Sequence, residues 1–79
     1  MSAPVRTLVF DGHPLLAQAL AGLLCELCNL QLVGVCAKAA HAAAVIEREP
    51  LDLLIVDLED HRQDWRPIAD LLLSHNPNA

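Results

Sequence analysis

The sequence predicts an α/β protein built as a three-layer open parallel sheet, with element order βαβαβα and strand order 2-1-3. Three observations carry this expectation. Short apolar or β-branched runs, VRTLVF at 5–10, LQLVGVC at 30–36 and LLIV at 53–56, alternate with segments whose apolar residues recur at helical spacing. The first run ends in a clear turn signal, Asp11-Gly12-His13-Pro14, and the second helical segment ends at Pro50. The last run, Leu53-Leu54-Ile55-Val56, is apolar at every position, the pattern of a parallel strand covered on both faces.

Taken in order, residues 5–10 form the first strand and Pro14 opens a helix over about 14–28. Proline suits the first helical turn, where its missing N–H leaves nothing unsatisfied. Leu15, Leu16, Ala19, Leu20, Leu23, Leu24 and Leu27 give this helix a broad apolar stripe. Asn29 closes it. Leu30–Cys36 is the second strand, although Gly34 weakens a strand interior. Residues 38–49 carry five alanines with Val45 and Ile46 and form the second helix, which stops before Pro50 because a residue preceding proline avoids helical geometry. After the third strand comes a polar loop at 59–64. Asp64 is placed to cap a last helix with Pro67 in its first turn and Ile68, Leu71 and Leu72 on its inner face.

Parallel strands joined by right-handed crossovers put the first helix on one face of such a sheet and the other two on the opposite face. The switch point then falls between strands 1 and 3, where open α/β sheets bind ligands outside the carboxyl ends of the strands. Asp11 closes strand 1 and Asp57 closes strand 3. Two carboxylates there can hold a hard divalent ion, and a carboxylate beside such an ion can become an aspartyl phosphate. The plainer reading is that both are solvated strand ends, since Asp is common in turns.

Composition narrows the class. Seventy-nine residues make a single domain (1–79) that buries only about 60% of the surface its unfolded chain exposes. The apolar fraction of 54%, counted without Gly, exceeds the roughly 45–50% usual for soluble domains counted with it. Such a chain has more apolar surface than it can hide alone, so self-association is expected. Net charge is −5, and the five basic residues are scattered, which argues against nucleic acid as a partner. Charged residues and histidines interrupt every apolar run before it reaches the ~20 residues that span a bilayer. The N-terminal MSAPVRT has no basic-then-apolar leader, and the expectation is a cytoplasmic, non-membrane protein.

Cys25, Cys28 and Cys36 are read as reduced, buried thiols. Cys25 and Cys28 form a C-x-x-C, but it falls at the far end of a helix, where the dipole opposes a thiolate. His13, His41, His61 and His75 lack ligand spacing. Trp65 is expected to pack locally. No Gly-rich phosphate loop, Ser/His/Asp order or nucleophile elbow is present, so no enzyme is predicted.

Four segments resemble the receiver domains of two-component response regulators, the match being closest to regulators with a LuxR-type helix-turn-helix output domain. Phe10-Asp11-Gly12-His13-Pro14 is similar to the acidic segment after strand 1 of that family, and Leu32-Val33-Gly34-Val35 to its Val-Val-Gly-Glu segment. Pro50 through Leu58 is similar to the segment ending in the phosphoacceptor, and His75-Asn76-Pro77-Asn78-Ala79 to the stretch preceding strand 4. The resemblance implies the N-terminal part of a flavodoxin-like receiver fold. By position it implies Asp57 as phosphoacceptor, and Mg²⁺ held by Asp11, Asp57 and the backbone carbonyl of Glu59. It also implies a histidine kinase or another response regulator as partner, in a phosphorelay that controls transcription.

Three departures bear on that site. Gly12 replaces the second acid of the family's pair, Asp60-His61-Arg62 replaces its Met-Pro-Gly turn, and the chain ends before strand 4, so the family's switch Ser or Thr and strand-5 Lys have no counterpart. Mg²⁺ affinity is expected to fall, and a phosphoryl group on Asp57 would lack its cationic partner. The shortened fold leaves strand 3 as an edge and part of the first helix's leucine stripe uncovered. The first expectation is therefore a degenerate, truncated receiver module acting through homodimerisation. Its interface would draw on Leu53, Leu54, Ile55 and Val56, with strand 3 pairing antiparallel to its copy in the order 2-1-3-3′-1′-2′, or on Leu16, Leu20 and Leu23 in a packed pair of first helices. The alternative is a working phosphoacceptor on Asp57.

Overall fold

Three parallel strands in the order β2-β1-β3 form the middle layer: β1 (Val5–Phe10), β2 (Leu30–Cys36) and β3 (Leu53–Val56). Helices α1 (Pro14–Leu27), α2 (Ala39–Arg48) and α3 (Arg66–His75) connect and flank them. The computed structural model describes residues 4–27, 29–56 and 64–79, and the side chains of Pro14, Leu16, Ala17, Cys25 and Leu27 are not among the described groups. The architecture is the three-layer open α/β sheet that the alternation of elements predicts.

Strand periodicity sorts the core into two layers. Leu8 and Phe10 of β1, Cys36 of β2 and the half-buried Leu54 and Val56 of β3 face α2 and α3, where Ala42, Ile46, Ile68 and Leu72 complete a buried cluster with Leu51. Val9 points the other way and packs with Ala21 of α1, Val35 and Ile55. Alternation along a strand requires this division, because successive side chains leave the sheet on opposite faces. The α2–α3 layer holds the larger buried cluster, and Leu8 and Ile46 are its largest fully enclosed side chains.

The β1–β2 register slips between Thr7 and Leu8: Thr7 lies opposite Leu32, whereas Leu8 lies opposite Gly34. Val33 is thus an extra residue on β2, a bulge that turns its side chain onto the α2–α3 cluster. Gly34 stands beside this bulge. A Cβ there would meet Leu8 Cδ1 at 3.6 Å, an ordinary contact, and no glycine has positive φ, so Gly34 is required neither by space nor by backbone geometry.

Helix ends follow the local chemistry. Glu49, expected in the second helix, is instead extended (φ −119, ψ 139) as the residue before Pro50, and its N–H still donates to the Val45 carbonyl. At the start of α3 the N-cap position falls on Trp65 and not on Asp64, which lies one residue earlier because the helix begins only at Arg66. Asp64 Oδ1 accepts the Arg66 N–H at 3.0 Å in the turn leading into the helix, and Pro67 is in its first turn. Trp65 packs against the α2–α3 cluster, as expected.

The amino ends of β1 and β3 are knitted together by polar groups. Arg6 Nε donates to the Pro50 carbonyl at 2.7 Å and Arg6 Nη2 to Glu49 Oε2 at 3.0 Å. Asn76, just past α3, donates from Nδ2 to the Leu51 carbonyl at 2.9 Å. These bonds tie the loop before β3 to both β1 and the end of α3. No described helix is long and apolar enough to cross a membrane.

Candidate functional site

At the carboxyl edge of the sheet the side chain that matters is Asp11. It is only 8% exposed, an unusual degree of burial for a carboxylate. Its backbone N–H donates to the Cys36 carbonyl at 2.9 Å, extending the β1–β2 ladder by one bond. Its Oδ1 accepts the His13 N–H at 2.8 Å, a turn that leads the chain into α1, and His13 Nδ1 lies 3.6 Å from the same oxygen. One oxygen of Asp11 is therefore committed to the β1–α1 turn.

Phe10 lies opposite Val56 across β1 and β3. Asp57 follows Val56 in sequence, but Asp57 and Glu59, the other two residues implied as metal ligands, lie outside the described residues. Among the described residues no group of three or more His, Cys, Asp or Glu is placed to hold a metal.

The other candidate surface is the outer edge of β3. Leu53 to Val56 pair with Thr7 to Phe10 on one side, and no described strand lies on the other. Leu54 and Val56 face α3, and with Leu53, Trp65, Ala69 and Leu73 they line an apolar groove of about 220 Å³ beside that open edge. Leu73 is 46% exposed. A separate cavity of about 320 Å³ lies at the opposite ends of the strands, bordered by Arg48, Glu49, Asp52 and His75. Its polar rim overlaps the bonds that hold the loop before β3, so it is remote from Asp11.

The first helix presents a third surface. Leu15 is 85% exposed, Leu23 53% and Leu20 45%. Ala21 is buried and Leu24 half-buried, so they mark the inward face, which packs mainly on β1 and β2 and reaches Ile55 of β3. The interface residues named from the sequence thus divide into two separate surfaces: Leu53, Leu54, Ile55 and Val56 at the sheet edge, and Leu20 and Leu23 on α1. The side chain of Leu16 is outside the described residues.

Sequence reasoning did not single out Leu73, Ala69 or the Arg6–Asp52–Asn76 network. A signal for Leu73 was present: three consecutive leucines at 71–73 cannot all face inward from one helix, since neighbours differ by about 100° around the axis. Cys36 is buried, and burial pushes its thiol pKa up, with the nearby Arg48 pulling partly the other way. A protonated, enclosed thiol is a packing group.

Among the described residues, fold and site define a small α/β sheet with the buried carboxylate of Asp11 at its carboxyl edge and an apolar strand edge on which no described strand lies. No family model matches the chain, no curated protein matches its sequence, and no solved structure matches its fold.

Proposed function

We propose that this chain is a receiver-like interaction module that acts by pairing with a second copy of itself through the outer edge of β3. The observation that carries this reading is the juxtaposition of that open edge with the groove lined by Leu54, Val56, Trp65 and Leu73. An edge strand with apolar side chains is a template for another strand, and natural edges are ordinarily blunted by charge, proline or a bulge. Between Leu53 and Val56 there is none of these.

Antiparallel pairing of β3 with its copy places a two-fold axis normal to the sheet and gives the order 2-1-3-3′-1′-2′. Each face then maps onto itself, so α3 of each chain lies on the same side and Leu73 can cover Leu54 and Val56 of the partner. A self-complementary patch of this kind closes without forming filaments. Light scattering tests it: the reading requires a mass above one chain at micromolar concentration, lowered by Leu53→Lys.

A second reading, phosphorylation of Asp57 by a histidine kinase, draws on the burial of Asp11 at the carboxyl edge. Incubation with a small phosphodonor and Mg²⁺ followed by intact mass tests that reading. It requires one phosphoryl adduct, abolished by Asp57→Asn, and an unchanged mass refutes it.

A further inference from the structure

The hydrogen bonds of β1 fix which backbone groups of β3 turn outward. The Val5 and Asp11 N–H groups donate toward β2, to the Asn29 and Cys36 carbonyls, whereas the Arg6 N–H and carbonyl both meet Asp52 on the β3 side. Successive residues of a strand direct these groups alternately to either side, so Leu8 and Phe10 follow Arg6 and bond β3. In a parallel pair such a residue bonds the two neighbours of the residue opposite it. Leu8 lies opposite Leu54 and Phe10 opposite Val56, so Ile55 between them gives its N–H to Leu8 and its carbonyl to Phe10. Leu54 and Val56 consequently direct their N–H and carbonyl groups to the outer edge, on which no described strand lies. Their side chains face the α2–α3 cluster, and that of Ile55 faces α1.

We infer that β3 meets its copy in one register, with Ile55 on the two-fold axis. This register rests on the β3 pairing proposed above and adds what that pairing leaves open, namely which residues recognise each other. Antiparallel strands bond through pairs of outward-turned residues, and directly opposite side chains share a face. Centring the axis on Ile55 sets Leu54 opposite Val56 of the partner and Val56 opposite Leu54 of the partner. Each such pair exchanges both of its N–H···O bonds, so every outward group of Leu54 and Val56 is satisfied. Ile55 meets its own copy as the closer, non-bonded kind of pair, with Cα atoms about 4.5 Å apart. Two β-branched side chains suit that position on a pleated surface.

Other registers satisfy less. An axis at Leu54 bonds that residue to its copy but sets Val56 opposite Asp52, whose N–H already donates to the Arg6 carbonyl. An axis at Val56 carries Leu54 beyond the described end of the partner's strand. An axis midway between residues 54 and 55 would set Leu54 opposite Ile55, although the two lie on opposite faces of the sheet. A parallel pair needs each bonded residue opposite an unbonded one, an odd offset that a two-fold axis does not produce, so it would propagate rather than close. Recognition of a second copy is thus specified by Leu54, Ile55 and Val56.

Disulfide trapping in the full chain tests the register, with the unsubstituted chain as the control for Cys25, Cys28 and Cys36. Leu54→Cys, Ile55→Cys and Val56→Cys are oxidised by air with a copper–phenanthroline catalyst. Intact mass measures the covalent dimer, peptide masses give the joined positions, and circular dichroism confirms that each variant is folded. Cα atoms about 4.5 Å apart can be bridged, whereas Leu54 and its copy stand two residues apart along the strands, beyond the ~7 Å limit. Ile55→Cys is expected to form a 55–55 dimer about tenfold faster than Leu54→Cys or Val56→Cys alone forms any dimer. An equal mixture of Leu54→Cys and Val56→Cys forms the 54–56 dimer, which checks the register with Ile55 intact. Joining at 54–54 or 56–56 without 55–55 overturns the register and leaves β3 pairing standing. Dimers at none of these positions overturn β3 pairing and the register with it.

Discussion

Arg6 and Asp52 are joined twice: the Arg6 N–H donates to Asp52 Oδ2 at 3.0 Å, and the Asp52 N–H donates to the Arg6 carbonyl at 2.8 Å. The pair stands one residue before the first paired position of β3, Leu53 opposite Thr7. It therefore fixes the register of β3 on β1, and with it which side chains of β3 face the groove. A slip of one residue would exchange Leu54 and Val56 for Leu53 and Ile55 on that face.

Asp52→Ala removes the carboxylate from this clasp but leaves the backbone bond. The expected cost is about 1 kcal/mol, because the group is exposed and its bond to the Arg6 N–H is partly replaced by water. Arg6→Ala keeps both bonds to Asp52, which use the backbone of residue 6, but loses the two guanidinium bonds to the Pro50 carbonyl and Glu49 Oε2 and is expected to cost more. Urea denaturation of the two variants checks the order, and equal stabilities would contradict it.

Gly34→Ala is expected to stabilise the chain. The backbone at this position is not left-handed, and the added methyl makes an ordinary contact with Leu8 Cδ1 at 3.6 Å. Replacing glycine in a strand interior gives about 0.5–1 kcal/mol, or a rise in Tm of about 3–6 °C for a chain of this size. A lower Tm would show that the bulge at Val33 needs glycine beside it.

Cys36 gives a pH dependence with a defined sign. Burial raises its pKa in the folded state, so the folded chain holds its proton at pH values where the unfolded chain has lost it. Stability from the neutral thiol is complete below the ordinary thiol pKa and is lost as pH rises through the raised value. Thermal unfolding in the alkaline range should therefore fall more steeply for the wild-type chain than for Cys36→Ala. Parallel curves would contradict the assignment.

The sheet was legible because each strand is marked by β-branched or apolar residues and bounded by a turn or proline, and because three strands alternating with three helices leave few topologies. What the sequence concealed was the facing of individual side chains. In α1, apolar residues occupy nearly the whole circumference, so periodicity alone does not say that Ala21 and Leu24 turn inward while Leu15 turns out. The Val33 bulge depends on packing against α2 and α3, which no local pattern of LQLVGVC encodes. The Arg6–Asp52 clasp joins residues forty-six apart and exists only once the register is set. At the carboxyl edge, Asp11 was picked out by its place after strand 1, but its bond to the His13 N–H was not foreseen.

Light scattering of the wild-type chain beside Leu53→Lys at micromolar concentration decides whether the chain associates through the β3 edge. The wild-type mass should exceed the 8.6 kDa of one chain, and the lysine variant should form a smaller assembly with the same circular dichroism. A wild-type chain that scatters as an 8.6 kDa monomer would contradict it.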